Sequence, residues 1–158
     1  MTLVLQADQL AAMQTYAQQA YPEECCGLLL GQRDLAVDRD YVYEVRPVAN
    51  DWSVAVNPFT EKAPLSAGKQ NRFWIAPEIL CKVQRECRDR DWIILGVYHS
   101  HPDHPPVPSE RDRQLAWSGY CYPIMRVTAE LVTELRSWRL NEHQQFEQQV
   151  VLSGDIAG

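Results

Sequence analysis

Residues 92–102 read Trp92-Ile-Ile-Leu-Gly-Val-Tyr-His-Ser-His-Pro102. The run from Trp92 to Tyr98 is almost wholly apolar, so it predicts a central strand covered on both faces. It ends in His99-Ser100-His101-Pro102. Side chains two apart on a strand share a face, so His99 and His101 can aim their imidazoles at one point, as a metal site requires. Pro102 then stops the strand, because it has no N–H for a ladder. Two imidazoles where a buried strand meets a loop have rigidity behind them and access in front.

Upstream, Leu10, Met13, Ala17 and Ala20 recur at helical spacing and predict a helix over 7–20, with Asp8 as a cap. Tyr21-Pro22 ends it, since the residue before a proline is pushed out of the helical region. Gly27 to Gly31 (GLLLG) predicts a short buried strand, and 41–49 (YVYEVRPVA) a second, with Pro47 weakening its end or placing it at an edge. Residues 50–71 show no sustained period and read as a long surface loop, a type that is often functional. From Pro77 to Arg90 the spacing is helical again, with Ile79, Leu80, Val83 and Cys87 on one face. Downstream, 109–118 predicts a short helix and 122–128, 132–140 and 146–152 predict strands. Helices and strands are interspersed, so the fold class is α/β: one domain over 1–158, a mixed β-sheet flanked by helices.

A chain of 158 residues can bury a core of ordinary size. Its net charge of −6 argues against nucleic acid as a partner, because phosphate binding needs clustered Lys and Arg. A basic or neutral protein partner fits better. No apolar run approaches the roughly 20 residues of a membrane-spanning helix, so no membrane partner is expected. The start, MTLVLQADQLAAMQ, lacks the basic region of a signal peptide. Five cysteines without a repeating spacing suggest reduced thiols and a cytoplasmic location.

Eleven residues after His101 stands Asp112, in Pro108-Ser-Glu-Arg-Asp112. In a helix starting at Ser109 it occupies the first turn, where the loop returns toward the strand end. Two histidines and one carboxylate leave the fourth position of a tetrahedral zinc open, as in catalytic zinc sites. Zinc would bring the pKa of water there to about 7. Such chemistry also needs a carboxylate near the metal to move a proton, and Glu24, just before the first predicted strand, is the candidate.

Glu24, then His99-x-His101-Pro102, then Ser109-x-x-Asp112 resemble the JAMM (MPN-plus) metalloproteases. In that pattern a glutamate stands three residues before a glycine that opens an apolar strand, as Glu24 does before Gly27. Ten residues separate the second histidine from the aspartate, as here. The resemblance runs from the first helix to the strand after Asp112 and fades after about residue 130. It implies a cytidine-deaminase-like architecture and a zinc peptidase or isopeptidase. It also implies a ubiquitin-like or sulfur-carrier protein as substrate, entering by its flexible C-terminal tail. Ser109 would then hydrogen-bond the carbonyl oxygen as it gains charge. Insertions like 51–70 contact the substrate or cover the site in that family.

Other readings exist for each piece. Ser109 and Asp112 also fit a capping box, which is compatible with metal binding because a cap fixes the backbone of a ligand. Glu23 and Glu24 could be solvated acids at a turn. His104 suits a substrate rim, and His143 an exposed turn. Cys25 and Cys26 are adjacent, which is wrong for a C-x-x-C claw, and are expected to pack beside the first strand. Trp52, Phe59, Phe73 and Trp74 could form a substrate patch. A scaffold that keeps the fold without chemistry is the rival; it has no use for an open metal position. A nucleobase deaminase would show H-x-E with P-C-x-x-C, and neither occurs here.

Overall fold

A computed structural model describes residues 1–56 and 65–154. Its elements are β1 (Thr2–Leu5), α1 (Ala7–Ala20), β2 (Cys26–Asp34), β3 (Arg39–Val48), a 3-10 turn at Val54–Val56, and α2 (Pro77–Asp89). They continue with β4 (Ile93–Pro102), α3 (Glu110–Leu115), β5 (Cys121–Val127), β6 (Val132–Leu140), β7 (Phe146–Gln149) and β8 (Val151–Ser153). The α/β class and every predicted element are found, with corrections: the N-cap of α1 is Gln6 and not Asp8, which lies inside the first turn. Thr2–Leu5 forms a strand that four residues of pattern could not announce. The 109–118 helix closes at Leu115, where the Ala116 backbone turns extended. The predicted 146–152 strand is two strands, separated by Val150.

That separation closes the sheet. The eight strands run in the order β7-β6-β5-β4-β2-β3-β1-β8, so the two ends of the order are neighbours in the chain. The sheet must therefore curl until its ends meet at Val150. There, Leu3 N–H donates to the Val150 carbonyl (3.0 Å), and Gln149 bridges Ser137 Oγ (2.8 Å) and the Met1 carbonyl (2.9 Å). Pro47 lies on the part of β3 that β1 does not reach, as a residue without a donor should. Side chains of α1 cover that open edge: Gln9 Nε2 donates to the Val42 carbonyl and Tyr16 Oη to that of Val48.

Two cores lie on the two faces. Met13 and Ala17 of α1 pack on Leu3, Leu5, Leu29, Leu95 and Tyr98, and Val83 and Cys87 of α2 pack on Leu28, Leu30, Ile94 and Val97. Burial of these side chains contributes about 1.5–3 kcal/mol each for the large ones. Ile94 and Val97 share a face although they are three apart, because the β2–β4 register shifts between Leu29 and Leu30 and leaves Leu95 as an extra residue. This bulge sets the phase of everything after it: Val97, His99 and His101 face the α2 side, and Tyr98 and Ser100 the α1 side. No helix among the described residues is long and apolar enough to cross a membrane.

β4 is central, antiparallel to β2 and parallel to β5. At Gly96 the β5 backbone comes so close that a Cβ would sit 2.1 Å from the Cys121 carbonyl oxygen. Gly96→Ala is therefore expected to force β4 and β5 apart and cost about 1–3 kcal/mol or more. The urea midpoint should fall, and an unchanged midpoint would show that the strands can spread freely.

Candidate active site

The β2–β4 ladder pairs Cys26 with His99. Continuing that register two residues sets Cys25 beside Ser100 and Glu24 beside His101. The chain holds it there: Ser100 N–H donates to the Cys25 carbonyl (3.1 Å), and Cys25 N–H donates to Ser100 Oγ (2.8 Å). Alternation then gives Glu24 the same face as the imidazoles and Glu23 the other, and Glu24 is 7% exposed whereas Glu23 is in solvent. Two further bonds fix the Glu24 backbone. Its N–H donates to the Lys69 carbonyl (2.7 Å), and Asn50 Nδ2 donates to its carbonyl (3.1 Å).

The imidazoles converge as expected, with Nε2 of His99 and His101 3.0 Å apart. His101 Nδ1 lies 2.8 Å from the Pro105 carbonyl, an acceptor only, so Nδ1 carries the hydrogen and Nε2 presents a lone pair. Phe73 stacks on His99 at 4.5 Å between centroids. Asp112 arrives from the first turn of α3. Ser109 Oγ accepts its N–H (3.1 Å), and its Oδ2 accepts the Ser109 N–H (2.8 Å), so the capping box exists. The same Oδ2 lies 3.4 Å from Nε2 of both histidines. Glu24 Oε1 stands further off, 4.0 Å from His101 Nε2.

Burial and charge separate the two carboxylates. Burial pushes Glu24 up to about 8, with His101 opposing and Asp112 adding to the rise. Burial pushes Asp112 up as well, but His99, His101 and the Ser109 amide outweigh it and hold it well below the usual range. Burial lowers His99 and so favours the neutral, ligating imidazole. On His101 burial also lowers, yet Asp112 and the Pro105 carbonyl prevail and raise it. One carboxyl is thus kept ionised and the other able to carry a proton near neutral pH.

Three donor atoms separated by 3.0, 3.4 and 3.4 Å suit one small divalent cation. A tetrahedral ion with bonds of about 2.0–2.1 Å spaces its ligands about 3.3 Å apart. Glu24, His99 and His101 also offer atoms within 4.8 Å of one another, which makes Glu24 the alternative carboxylate.

The cluster opens into a cavity of about 390 Å³ that Ser109, His104, Arg72 and Arg111 also line. His143 is exposed, and Cys25 and Cys26 are buried free thiols whose pKa burial raises. Of the aromatic patch, Phe73 and Trp74 line an adjoining apolar groove of about 310 Å³, Trp52 is packed inside, and Phe59 lies outside the described residues. Sequence reasoning missed Asn50, Arg72, Ser100 and the Pro105 carbonyl. Only Ser100 carried a signal, since it alternates with the two histidines.

An imidazole–imidazole–carboxylate cluster at the end of a central strand, with a second carboxylate beside it, defines a candidate metallohydrolase centre. The chain belongs to the family of prokaryotic homologs of the JAB domain, whose model matches residues 6–141. It is 33% identical over 113 residues to a desampylase of Haloferax volcanii, covering 68% of each chain. It is 29% identical to a CysO-cysteine peptidase of Mycobacterium bovis, covering 87% of this chain and 82% of that one. A solution structure from Desulfitobacterium hafniense superposes with a TM-score of 0.74 at 25% identity, covering 96% and 92%. A JAB1/MPN domain protein from Archaeoglobus fulgidus shares the fold, with a TM-score of 0.51 at 18% identity and coverage of 96% and 99%.

Removing the Ser100 hydroxyl would leave the buried Cys25 N–H without its acceptor. Ser100→Ala is expected to cost about 1–3 kcal/mol. Chemical denaturation measures it, and a loss below a few tenths would mean that this bond does not hold β2 to β4.

Proposed function

We propose that this protein is a zinc-dependent peptidase or isopeptidase that cleaves an amide at the C-terminal tail of a ubiquitin-like or sulfur-carrier protein. The observation that carries this reading is the close triangle of His99 Nε2, His101 Nε2 and Asp112 Oδ2, with Glu24 just outside it. His99, His101 and Asp112 would hold the metal. Zinc fits a site of two neutral imidazoles and one carboxylate, and when bound it supplies Lewis acidity that polarises a carbonyl and acidifies water. The relatives' names, desampylase and CysO-cysteine peptidase, support a hydrolase that acts on small protein tails.

Glu24 takes a proton from water as the oxygen adds to the carbonyl carbon. It gives that proton to the nitrogen as the C–N bond breaks. Its burial and its distance from the imidazoles suit a proton carrier better than a ligand. Ser109 Oγ accepts the Asp112 N–H, which leaves its own hydrogen to donate to the carbonyl oxygen as charge develops. The apolar groove beyond Phe73 and Leu115 suits the aliphatic side chains of an extended tail. Free thiols at all five cysteines fit a reducing compartment such as the cytoplasm.

Zinc-loaded protein incubated with ubiquitin-like proteins extended past their terminal glycines should release the extension, as read by mass spectrometry. Glu24→Gln is expected to lower kcat by about 10²–10⁴-fold while zinc content stays unchanged. Full activity of a zinc-loaded Glu24→Gln protein would remove Glu24 from the chemistry. In a separate test, His99→Ala and Asp112→Ala should lose zinc on elemental analysis, and retention of stoichiometric zinc by both would refute the ligand set.

A further inference from the structure

Asp112 is carried by an excursion that leaves β4 at Asp103 and rejoins the sheet at Cys121, and of residues 103–120 only Pro106 is buried. A segment with so little core of its own takes its place from what the sheet supplies. Two side chains of the sheet hold it on either side of Asp112. Before it, Trp138 Nε1 donates to the Pro106 carbonyl (2.9 Å). After it, Tyr122 Oη accepts the Trp117 N–H (2.6 Å). Trp138 on β6 lies directly opposite Tyr122 on β5, so both bonds leave from one rung of the ladder. Phe146 closes on the Tyr122 ring, with centroids 5.7 Å apart and planes at 80°. The excursion is also stiff at its start. Pro105, Pro106 and Pro108 have a fixed φ, and the Pro105 carbonyl accepts from both Val107 N–H (2.8 Å) and His101 Nδ1 (2.8 Å). Pro106 follows Pro105 directly, so fixing its carbonyl leaves the preceding carbonyl little freedom to turn away from His101.

We propose that Trp138 and Tyr122 are positioning residues of the candidate metal centre: together they set where the Pro105 carbonyl and the Asp112 carboxylate stand against His99 and His101. This deepens the ligand set proposed above and rests on it. Both side chains act through the backbone of the excursion. Trp138 bears on two of the ligands. On one side, the Pro105 carbonyl holds His101 as the Nδ1–H tautomer, which leaves the Nε2 lone pair for a cation. On the other, the chain runs on through Pro108 into Ser109, whose amide and hydroxyl cap Asp112. Tyr122 fixes the far end, just past Leu115 where α3 closes. A helix of six residues tied at one end could swing about that end. With both ends tied, Asp112 Oδ2 is kept 3.4 Å from each Nε2. The plainer role for Trp138 is packing, since its ring lies against the apolar cluster under α2. The indole N–H separates the two roles, because phenylalanine keeps a ring there and has no donor.

The test uses the full chain, with zinc affinity measured by competition against a chelating dye. Trp138→Phe and Tyr122→Phe should each weaken zinc binding by about tenfold or more, the scale of loss when partners of metal ligands are removed. Val42→Ala opens a cavity in the α1-side core, on the other face of the sheet, and should lower the urea midpoint without changing the zinc constant. Unchanged affinity in both phenylalanine variants, or an equal loss in Val42→Ala, overturns the proposal and leaves the ligand set standing. A wild-type chain that binds no zinc sinks the ligand set instead. Tyr122→Phe decides the zinc measurement alone if Trp138→Phe does not fold. A second readout needs no metal: at mildly alkaline pH the His101 ring nitrogen-15 shifts should report Nδ1–H in the wild-type chain and a gain of Nε2–H in Trp138→Phe. Identical ring shifts in the two proteins would overturn the proposal on their own.

Discussion

The site depends on one antiparallel ladder, the pairing of β2 with β4, and on the two bonds by which Ser100 and Cys25 extend it past the end of β2. An antiparallel pair brings the start of one strand to the end of the other. A glutamate more than seventy residues upstream of the histidines therefore lands beside them without any loop having to find its place. Register then acts as a selector, because a slip by one residue would turn Glu23 inward and put Glu24 in water. The hydroxyl at the middle position of the His-Ser-His triplet prevents that slip from the opposite face of the sheet. The Glu24–histidine cluster on one face is thus positioned by a hydrogen bond on the other.

The second constraint is the phase of β4. Ile94 lies on the α2 side, and plain alternation from there would aim His99 and His101 at the α1 core. The extra residue at Leu95 reverses the alternation and gives the imidazoles to the open side, where α3 can bring Asp112. Gly96 comes next, and its lack of a side chain lets β5 approach there. A bulge and a glycine next to each other therefore aim the imidazoles and keep the parallel neighbour in contact. Bulges beside functional sites commonly re-aim side chains in this way.

Much of this was legible in the sequence. The apolar run 92–98, the His-x-His pair and the aspartate eleven residues on are local patterns, and local patterns survive in the primary structure. The faces were legible only relative to one another: His99 and His101 share one, but which face it is depends on the Leu95 bulge, visible only once β2 is laid beside β4. β1 was missed because four residues are too short for a period, and its strand character comes from its partners β3 and β8. The split at Val150 escaped for a similar reason, since one alternating run serves two different neighbours. Trp52 reads equally well as a loop aromatic or a core one, and packing decided for the core. Asn50 carries no motif at all, and its role exists only where the segments holding Glu24 and Arg72–Trp74 meet.

Asn50 also bears on how the cavity can work as a unit. Its side chain donates to the carbonyls of Glu24 and Arg72 and accepts from the N–H groups of Trp52 and Trp74, using all of its ordinary capacity on backbone. Backbone tethers of this kind deny the main chains of Glu24 and Arg72 independent movement. Phe73, between Arg72 and Trp74, is thereby held against His99, where its ring shields one face of a buried imidazole and favours the neutral form. One amide therefore positions Glu24, Arg72 and the ring that covers His99. Loss of that amide would disturb all three together, whereas loss of any one of those side chains would disturb one.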